Sequence, residues 1–269
     1  LPGTRGLSDW ALKDTIVLPF NDSIAAEKII RAHASELAAI LVEPTMIDIG
    51  FIPAEPDYLM TLRDLADEIG ALLIFDELLT GFRLALGGAQ EKYNIQADLA
   101  IFGKALGNGY PVAALSGKRD FMELSLAGKE NTTFVGTFNG HVVIMAAVLA
   151  SLQQLSDGKA TAQLQSNTEM LIRAFQISAK RYDVSAQMQG GGGHIHWYFA
   201  KEPVRNYRQA AQSNRNNYSI FINVLQSDGF MVTPNYLLHH AISLAHGSTE
   251  LERLIQSMDR GLAEVANGS

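Results

Sequence analysis

Three apolar runs constrain this chain more than anything else in it: AAILVE (residues 38–43), ALLIFD (71–76) and DLAIFG (98–103). Each is short and almost continuously hydrophobic, the pattern of strands buried on both faces. Between the first two lies DYLMTLRDLADEIG, where Leu59, Leu62, Leu65, Ala66 and Ile69 recur at helical spacing and Gly70 supplies the stop. Strand, helix and strand at this spacing predict βαβ units and a mainly parallel sheet, hence an α/β fold. A further strand is expected over Thr15–Phe20. The helix after it is capped by Asp22 or Ser23, with Ile24, Ile29, Ile30 and Leu37 as its apolar stripe. PVAALSG (111–117) opens with proline, which suits an edge strand or a strand start.

The texture changes after His141. A long helical region runs to about Lys180, and short strands follow: VSAQMQ (184–189), HIHWYF (194–199), GFMVTP and HAISLAH. A last helix starts with Ser248 or Thr249 as its cap. The expected organisation is a large domain over 1–150 and a small C-terminal α+β domain over 151–269, divided near or within a shared helix.

Composition narrows the function classes. Lys and Arg number 21 against 28 Asp and Glu, a formal charge of −7, and no basic stripe is present, so nucleic acid is not an expected partner. With no cysteine there are no disulfides and no thiolate metal sites. No apolar run reaches the roughly 18 residues of a membrane span, and no signal-peptide pattern opens the chain. A cytoplasmic setting is the expectation.

The strand ends carry the chemistry. ALLIFD closes on Asp76, and Lys104 follows the next strand twenty-eight residues on. Ligands of open α/β sheets bind beyond the carboxyl ends of strands, and a right-handed crossover of this length places its two strands close together. A partly desolvated lysine forms Schiff bases. Pyridoxal phosphate adds the need for a carboxylate that keeps its ring nitrogen protonated. The same two residues also read as a turn-forming aspartate before Thr80-Gly81 and a solvated surface lysine.

The text from AAILVEPTMIDIGFIPAEP through LLIFDELLTGFRLALGGAQ to DLAIFGKALGNGYPVAAL resembles class III aminotransferases, most nearly the branch containing glutamate-1-semialdehyde aminomutase. That resemblance implies a fold type I pyridoxal-phosphate enzyme, a homodimer with a shared active site, acting on a small-molecule amine donor and a carbonyl acceptor. It implies Lys104 as the Schiff-base lysine, Asp76 as partner of the pyridinium nitrogen and Leu78 as the apolar side chain on the ring face. Glu43 in LVEP matches an acidic active-site residue. Gly136 and Thr137 in FVGTFNGH match the segment that reaches the cofactor phosphate of the neighbouring subunit.

Two departures accompany the resemblance. The family carries a long segment ahead of the point matching Leu1, with a phosphate loop and a stacking aromatic ring, so an N-terminally truncated large domain is expected. The aminomutase branch carries a glutamate shortly before its SLAH-like stretch, where this chain has Leu238. A plain aminotransferase is therefore the leading reading. Aminomutase activity, a cofactor-free lysine imine and a non-catalytic remnant that folds and dimerises are the alternatives.

Other features read more simply. His194 and His196 alternate on one strand and are expected on a solvated face, with no metal site. Gly190–Gly193 precede a strand rather than a helix, so a bend between strands is expected in place of a phosphate cradle. Arg83 has two readings, a substrate carboxylate or a surface ion pair with Glu77 or another acid, and the surface role is the expectation.

Overall fold

The structure is a computed structural model that describes Gly6, Ser8, residues 12–125 and residues 132–268. Its first sheet has the order β1-β4-β5-β6, built from β1 (Ala39–Val42), β4 (Leu72–Asp76), β5 (Leu99–Gly103) and β6 (Ala113–Gly117). β1, β4 and β5 run parallel, and β6 is an antiparallel edge. Helices α1 (Ser23–Ala32) and α2 (Pro56–Ile69) pack on one face. Ile40, Val42, Leu73, Phe75 and Ala100 point into that core with Ala26, Ile30, Leu59 and Leu62.

The expectation of strands buried on both faces is corrected here. β1 alternates, and Leu41 on its other face is 64% exposed. Among the described residues nothing covers that face at β1. Thr15–Phe20 also forms no strand. Leu18 and Phe20 instead pack onto the first core from outside the sheet. Asp22 caps α1 by accepting from the Ala25 N–H at 3.0 Å, but Ile24 lies exposed and the buried side chains are Ala26 and Ile30.

Asp98 pins the amino end of the sheet. Its carboxylate accepts from the Leu73 N–H at 2.7 Å, pairs with Arg63 at 2.9 Å and with Lys118 at 2.6 Å. Three strands are thereby tied together at the end opposite the strand termini that carry Asp76 and Lys104. A short antiparallel ribbon, β2 (Thr45–Met46) and β3 (Ile52–Pro53), follows β1. Short α3 (Gly88–Tyr93) and α4 (Arg119–Met122) flank β5 and β6.

Helix α5 (Val142–Leu155) ends ahead of Gly158, whose φ of 70° breaks the helical path, and α6 (Lys159–Arg181) begins. The rest of the chain builds a second core. β7 (Gln187–Gly191), β8 (His194–Tyr198) and β9 (His240–Ala241) form an antiparallel sheet. Helices α6, α8 (Arg215–Ser227) and α9 (Ser248–Asn267) cover it, while short α7 (Tyr207–Ala211) supplies Ala210 to a smaller cluster. Of the expected strands, GFMVTP forms none and HAISLAH keeps only His240–Ala241. The α9 cap is Gly247, whose N–H is held by Glu250 at 2.9 Å, rather than Ser248 or Thr249.

β8 is buried at all five positions because it is the middle strand with both faces covered. Ile195 and Trp197 enter the second core. His194, His196 and Tyr198 share the opposite face, as strand alternation requires, and that face meets the first half of the chain. The Tyr198 hydroxyl donates to the Ile49 carbonyl at 2.8 Å and accepts from the Phe51 N–H at 3.0 Å. Gly50 makes this approach possible. Its φ is 101°, and a Cβ there would stand 1.9 Å from Tyr198 Oη.

Candidate active site

The three parallel strands end in chemistry at one edge. Glu43 directly follows β1, Asp76 closes β4, and Lys104 directly follows β5. Register aligns them. Val42 pairs with Phe75, which sets Glu43 beside Asp76, and Asp76 pairs with Ile101. Lys104 lies three residues beyond Ile101, where the chain leaves the strand for a single 3-10 turn over Lys104–Leu106.

Local geometry shapes each group. Asp76 is partly buried, and one of its carboxylate oxygens accepts from the Leu78 N–H at 3.0 Å. Among the described residues the other oxygen has no donor, so it can receive a ring N–H. Lys104 sits at φ 46°, a left-handed conformation uncommon for a side-chain-bearing residue. Its side chain is exposed and in no ion pair among the described residues. Gly103 before it admits the Leu78 side chain, since a Cβ would lie 2.8 Å from Leu78 Cδ2. Leu78 thus lies against the residue that launches the lysine.

Glu43 marks the field of this edge. Burial, and then the charge of Asp76, push its carboxyl up to about 7, while its bond to the Ile47 N–H at 3.1 Å and the charge of Lys104 pull the other way. The charges of Asp76 and Lys104 both reach Glu43, which places the three groups in one neighbourhood. Lys104 is felt as well by His194 and His239. Those rings lie 5.0 Å apart, centroid to centroid, and His239 faces Asp48 at 3.7 Å.

The expectation of solvated histidines is overturned. His194 and His196 are buried, because β8 is sandwiched between the two halves. His194 Nε2 meets the Leu79 carbonyl at 3.2 Å, so Nε2 carries the proton and Nδ1 is left as an unpartnered acceptor. His196 does the same with Tyr236 at 3.1 Å. Burial pushes both imidazoles down to about 3 and His240 down to about 4. Among the described residues no group of His, Asp and Glu is arranged to hold a metal.

The surface reading of Arg83 is corrected too. Glu77 is fully buried and already engaged by the Thr80 hydroxyl at 2.6 Å and by the N–H groups of Ala89 at 2.8 Å and Gln90 at 3.1 Å. Arg83 turns instead toward the second half and donates to the Ile242 carbonyl at 3.5 Å. Of the four consecutive glycines, Gly190 and Gly191 end β7, and Gly192 and Gly193 make the turn into β8 over Arg83.

Gly136 and Thr137 are not joined to this cluster. Both are exposed on the segment leading into α5, and among the described residues no hydrogen bond links them to Glu43, Asp76 or Lys104. Helix α5 itself packs against the Lys104–Leu106 turn.

The aminotransferase class-III family model matches residues 5–253. The chain belongs to the class-III aminotransferases. A glutamate-1-semialdehyde 2,1-aminomutase from Thermomicrobium roseum is 35% identical over 268 residues, all of this chain and 62% of that protein. A β-phenylalanine aminotransferase from Variovorax paradoxus is 31% identical with a TM-score of 0.85, covering 91% of this chain and 56% of that one. An omega-transaminase from Sphaerobacter thermophilus is 29% identical with a TM-score of 0.88, covering 98% and 60%. The fold is that of the fold type I transaminases, and this class-III chain spans about three fifths of the relatives it matches.

The cofactor of the class, pyridoxal phosphate, can be tested against the residues of this class-III chain. The ring end fits: the free oxygen of Asp76 could accept a pyridinium N–H, Leu78 could offer an apolar contact, and Lys104 has an accessible amine. At the phosphate end the matching residues, Gly136 and Thr137, face away into the surroundings.

Proposed function

We propose that this chain carries the lysine-bearing part of a pyridoxal-phosphate aminotransferase that moves an amino group from an amine or amino-acid donor to a keto-acid or aldehyde acceptor. One observation carries the reading: three adjacent parallel strands deliver Glu43, Asp76 and Lys104 to the same edge of one sheet. When bound, pyridoxal phosphate supplies an electron-withdrawing ring that carries the amino group between donor and acceptor. Lys104 would hold the group through Nζ and, once displaced by the donor, shuttle a proton as general base and then general acid. Asp76 would accept the ring N–H and keep the ring positively charged. Leu78 would fix the ring plane. Glu43, with its raised affinity for a proton, can lie close to Asp76 without setting two full negative charges side by side.

The same reading makes the assembly a homodimer. Phe134, Val135 and Phe138 are exposed with Val142, Val143 and Leu149 of α5, an apolar surface next to the lysine turn. Surfaces of this kind mark interaction sites, and a second copy would bring Thr137 to the partner's cofactor phosphate. Among the described residues no helix is long and apolar enough to cross a membrane, and the cytoplasm is the proposed location. Against aminomutase activity stands Leu238, an apolar side chain that lines a cavity of about 530 Å³ with His239 and His240 where that branch has a carboxylate.

Borohydride reduction of protein incubated with pyridoxal phosphate, followed by peptide mass mapping, tests the reading. The pyridoxyl mass is expected on Lys104 and absent from Lys104→Ala, and a donor screen with pyruvate as acceptor should show turnover only when Lys104 is present. A label on other lysines, or equal turnover in Lys104→Ala, would sink it. Absence of any binding would support the non-catalytic remnant.

A further inference from the structure

Arg83 sits where a surface arginine would not. It is partly buried at the seam between the two halves, and burial pushes its guanidinium pKa down. Among the described residues no carboxylate pairs with it. The one side-chain hydrogen bond it makes among the described residues, to the Ile242 carbonyl at 3.5 Å, is at the outer limit of hydrogen bonding. The nearest acid in sequence, Glu77, is occupied by Thr80, Ala89 and Gln90. A desolvated cation without an anion is costly to keep.

The fold holds Arg83 in place deliberately. Phe82 before it takes φ 60°, and its ring packs against Phe102 with centroids 5.5 Å apart. The Gly192-Gly193 turn then closes over it. Cβ atoms at those positions would stand 2.4 Å from the Arg83 carbonyl oxygen and 3.2 Å from its Nη1. Beyond that turn comes His194, bonded to the Leu79 carbonyl next to Leu78 and in ring contact with His239. The charges of Arg83 and Lys104 are both felt at these two neutral rings. Arg83 and Lys104 therefore both lie near this pair of imidazoles.

We propose that Arg83 is the receptor for a carboxylate carried by the substrate, with the Gly192-Gly193 turn and His194 lining its side of the seam. The planar fork of a guanidinium matches a carboxylate with two parallel bonds. The proposal rests on the aminotransferase reading and sharpens it: the substrates are amino acids and keto acids rather than simple amines and aldehydes. The competing role for Arg83 is purely mechanical, fastening the second half through Ile242.

Binding without turnover separates the two. 3-Phenylpropanoate and its neutral amide, 3-phenylpropanamide, are titrated calorimetrically into full chain saturated with pyridoxal phosphate, so that free phosphate sites do not compete. The wild type should prefer the carboxylate by about tenfold or more. Arg83→Gln should bring the preference to within about twofold, and Arg83→Lys should retain only part of it. A mechanical role would lower the melting temperature of the variants while leaving the carboxylate-to-amide ratio unchanged, and that result overturns the proposal. So does a wild type that binds both probes alike or neither. Should Arg83→Gln fail to fold, Arg83→Lys decides, an unchanged ratio again counting against the receptor. The label at Lys104 is read separately. A labelled Lys104 without carboxylate preference sinks the arginine assignment alone, whereas an unlabelled Lys104 sinks the aminotransferase reading.

Discussion

Helices α5 and α9 meet opposite fates. α9 is rich in charge, yet Leu251, Leu254, Met258, Leu262 and Val265 fall on one stripe and are buried against α6 and α8. α5, VVIMAAVLASLQQL, is far more apolar, yet none of its residues is buried, and Val142 is 80% exposed. Hydrophobic content alone does not produce burial. A striped helix completes its own core, whereas a helix apolar on all sides needs protein on all sides. The second half of the chain is closed upon itself. The first half, which holds Asp76 and Lys104, leaves α5, the edge strand β6 and Leu41 uncovered by described residues.

The largest effect that could break this contrast lies in the closed half. Phe221 is fully buried and touches the rings of Phe175, Trp197 and Phe199. Phe221→Ala should cost about 3–5 kcal/mol, seen as a lowered midpoint in urea unfolding. A loss below about 1 kcal/mol would mean that this core is not the closed one described. In the open half the comparable test is Asp98→Ala, which leaves the buried Leu73 N–H without an acceptor and takes a carboxylate from Lys118 and from Arg63, whose remaining acid is the exposed Asp67. About 3 kcal/mol is expected, showing that the sheet depends on its pinned end rather than on cover over its open face.

Acid should act on the two halves with opposite sign. His194, His196 and His240 are held neutral in the fold, down to about 3, 3 and 4, against an ordinary 6.5 in the unfolded chain. Their stabilisation is complete above pH 6.5 and drains away as pH falls toward those values, because the unfolded chain takes up the protons. Glu43, raised from 4.5 to about 7, contributes fully below pH 4.5 and loses its contribution as pH rises through 7. Glu43→Gln should therefore raise stability at pH 8 by up to about 3 kcal/mol and leave the histidine-driven loss below pH 4.5 unchanged. Thermal melts across pH 4 to 8 (roughly the range both linkages cover) read both slopes. The smallest effect on folding is expected at Val142→Asp, within about 0.5 kcal/mol. Sedimentation should nonetheless show the variant shifted to monomer, and an unchanged oligomer would remove α5 from the interface.

Much of the site was legible in the text. The runs ending at Glu43, Asp76 and Gly103 became adjacent parallel strands because continuous apolar segments with a helix between them have few other arrangements. What the sequence concealed lay where the two halves touch. Thr15–Phe20 has the composition of a strand but joins no sheet among the described residues. His194 and His196 alternate like polar residues on a wet face, yet the loop over residues 47–51 and Leu79 close upon them. Arg83 follows a surface-like turn and is drawn under Gly192-Gly193, more than a hundred residues away.

The sequence by itself determined that the core is mainly parallel, that Asp76 and Lys104 close strands at its carboxyl edge, and the family. These follow from periodicity and chain connectivity, which are local. Only the tertiary structure decided which polar side chains lose their water. Desolvation of His194, His196 and Arg83 depends on surfaces brought together from distant segments, and no pattern along the chain encodes that distance directly.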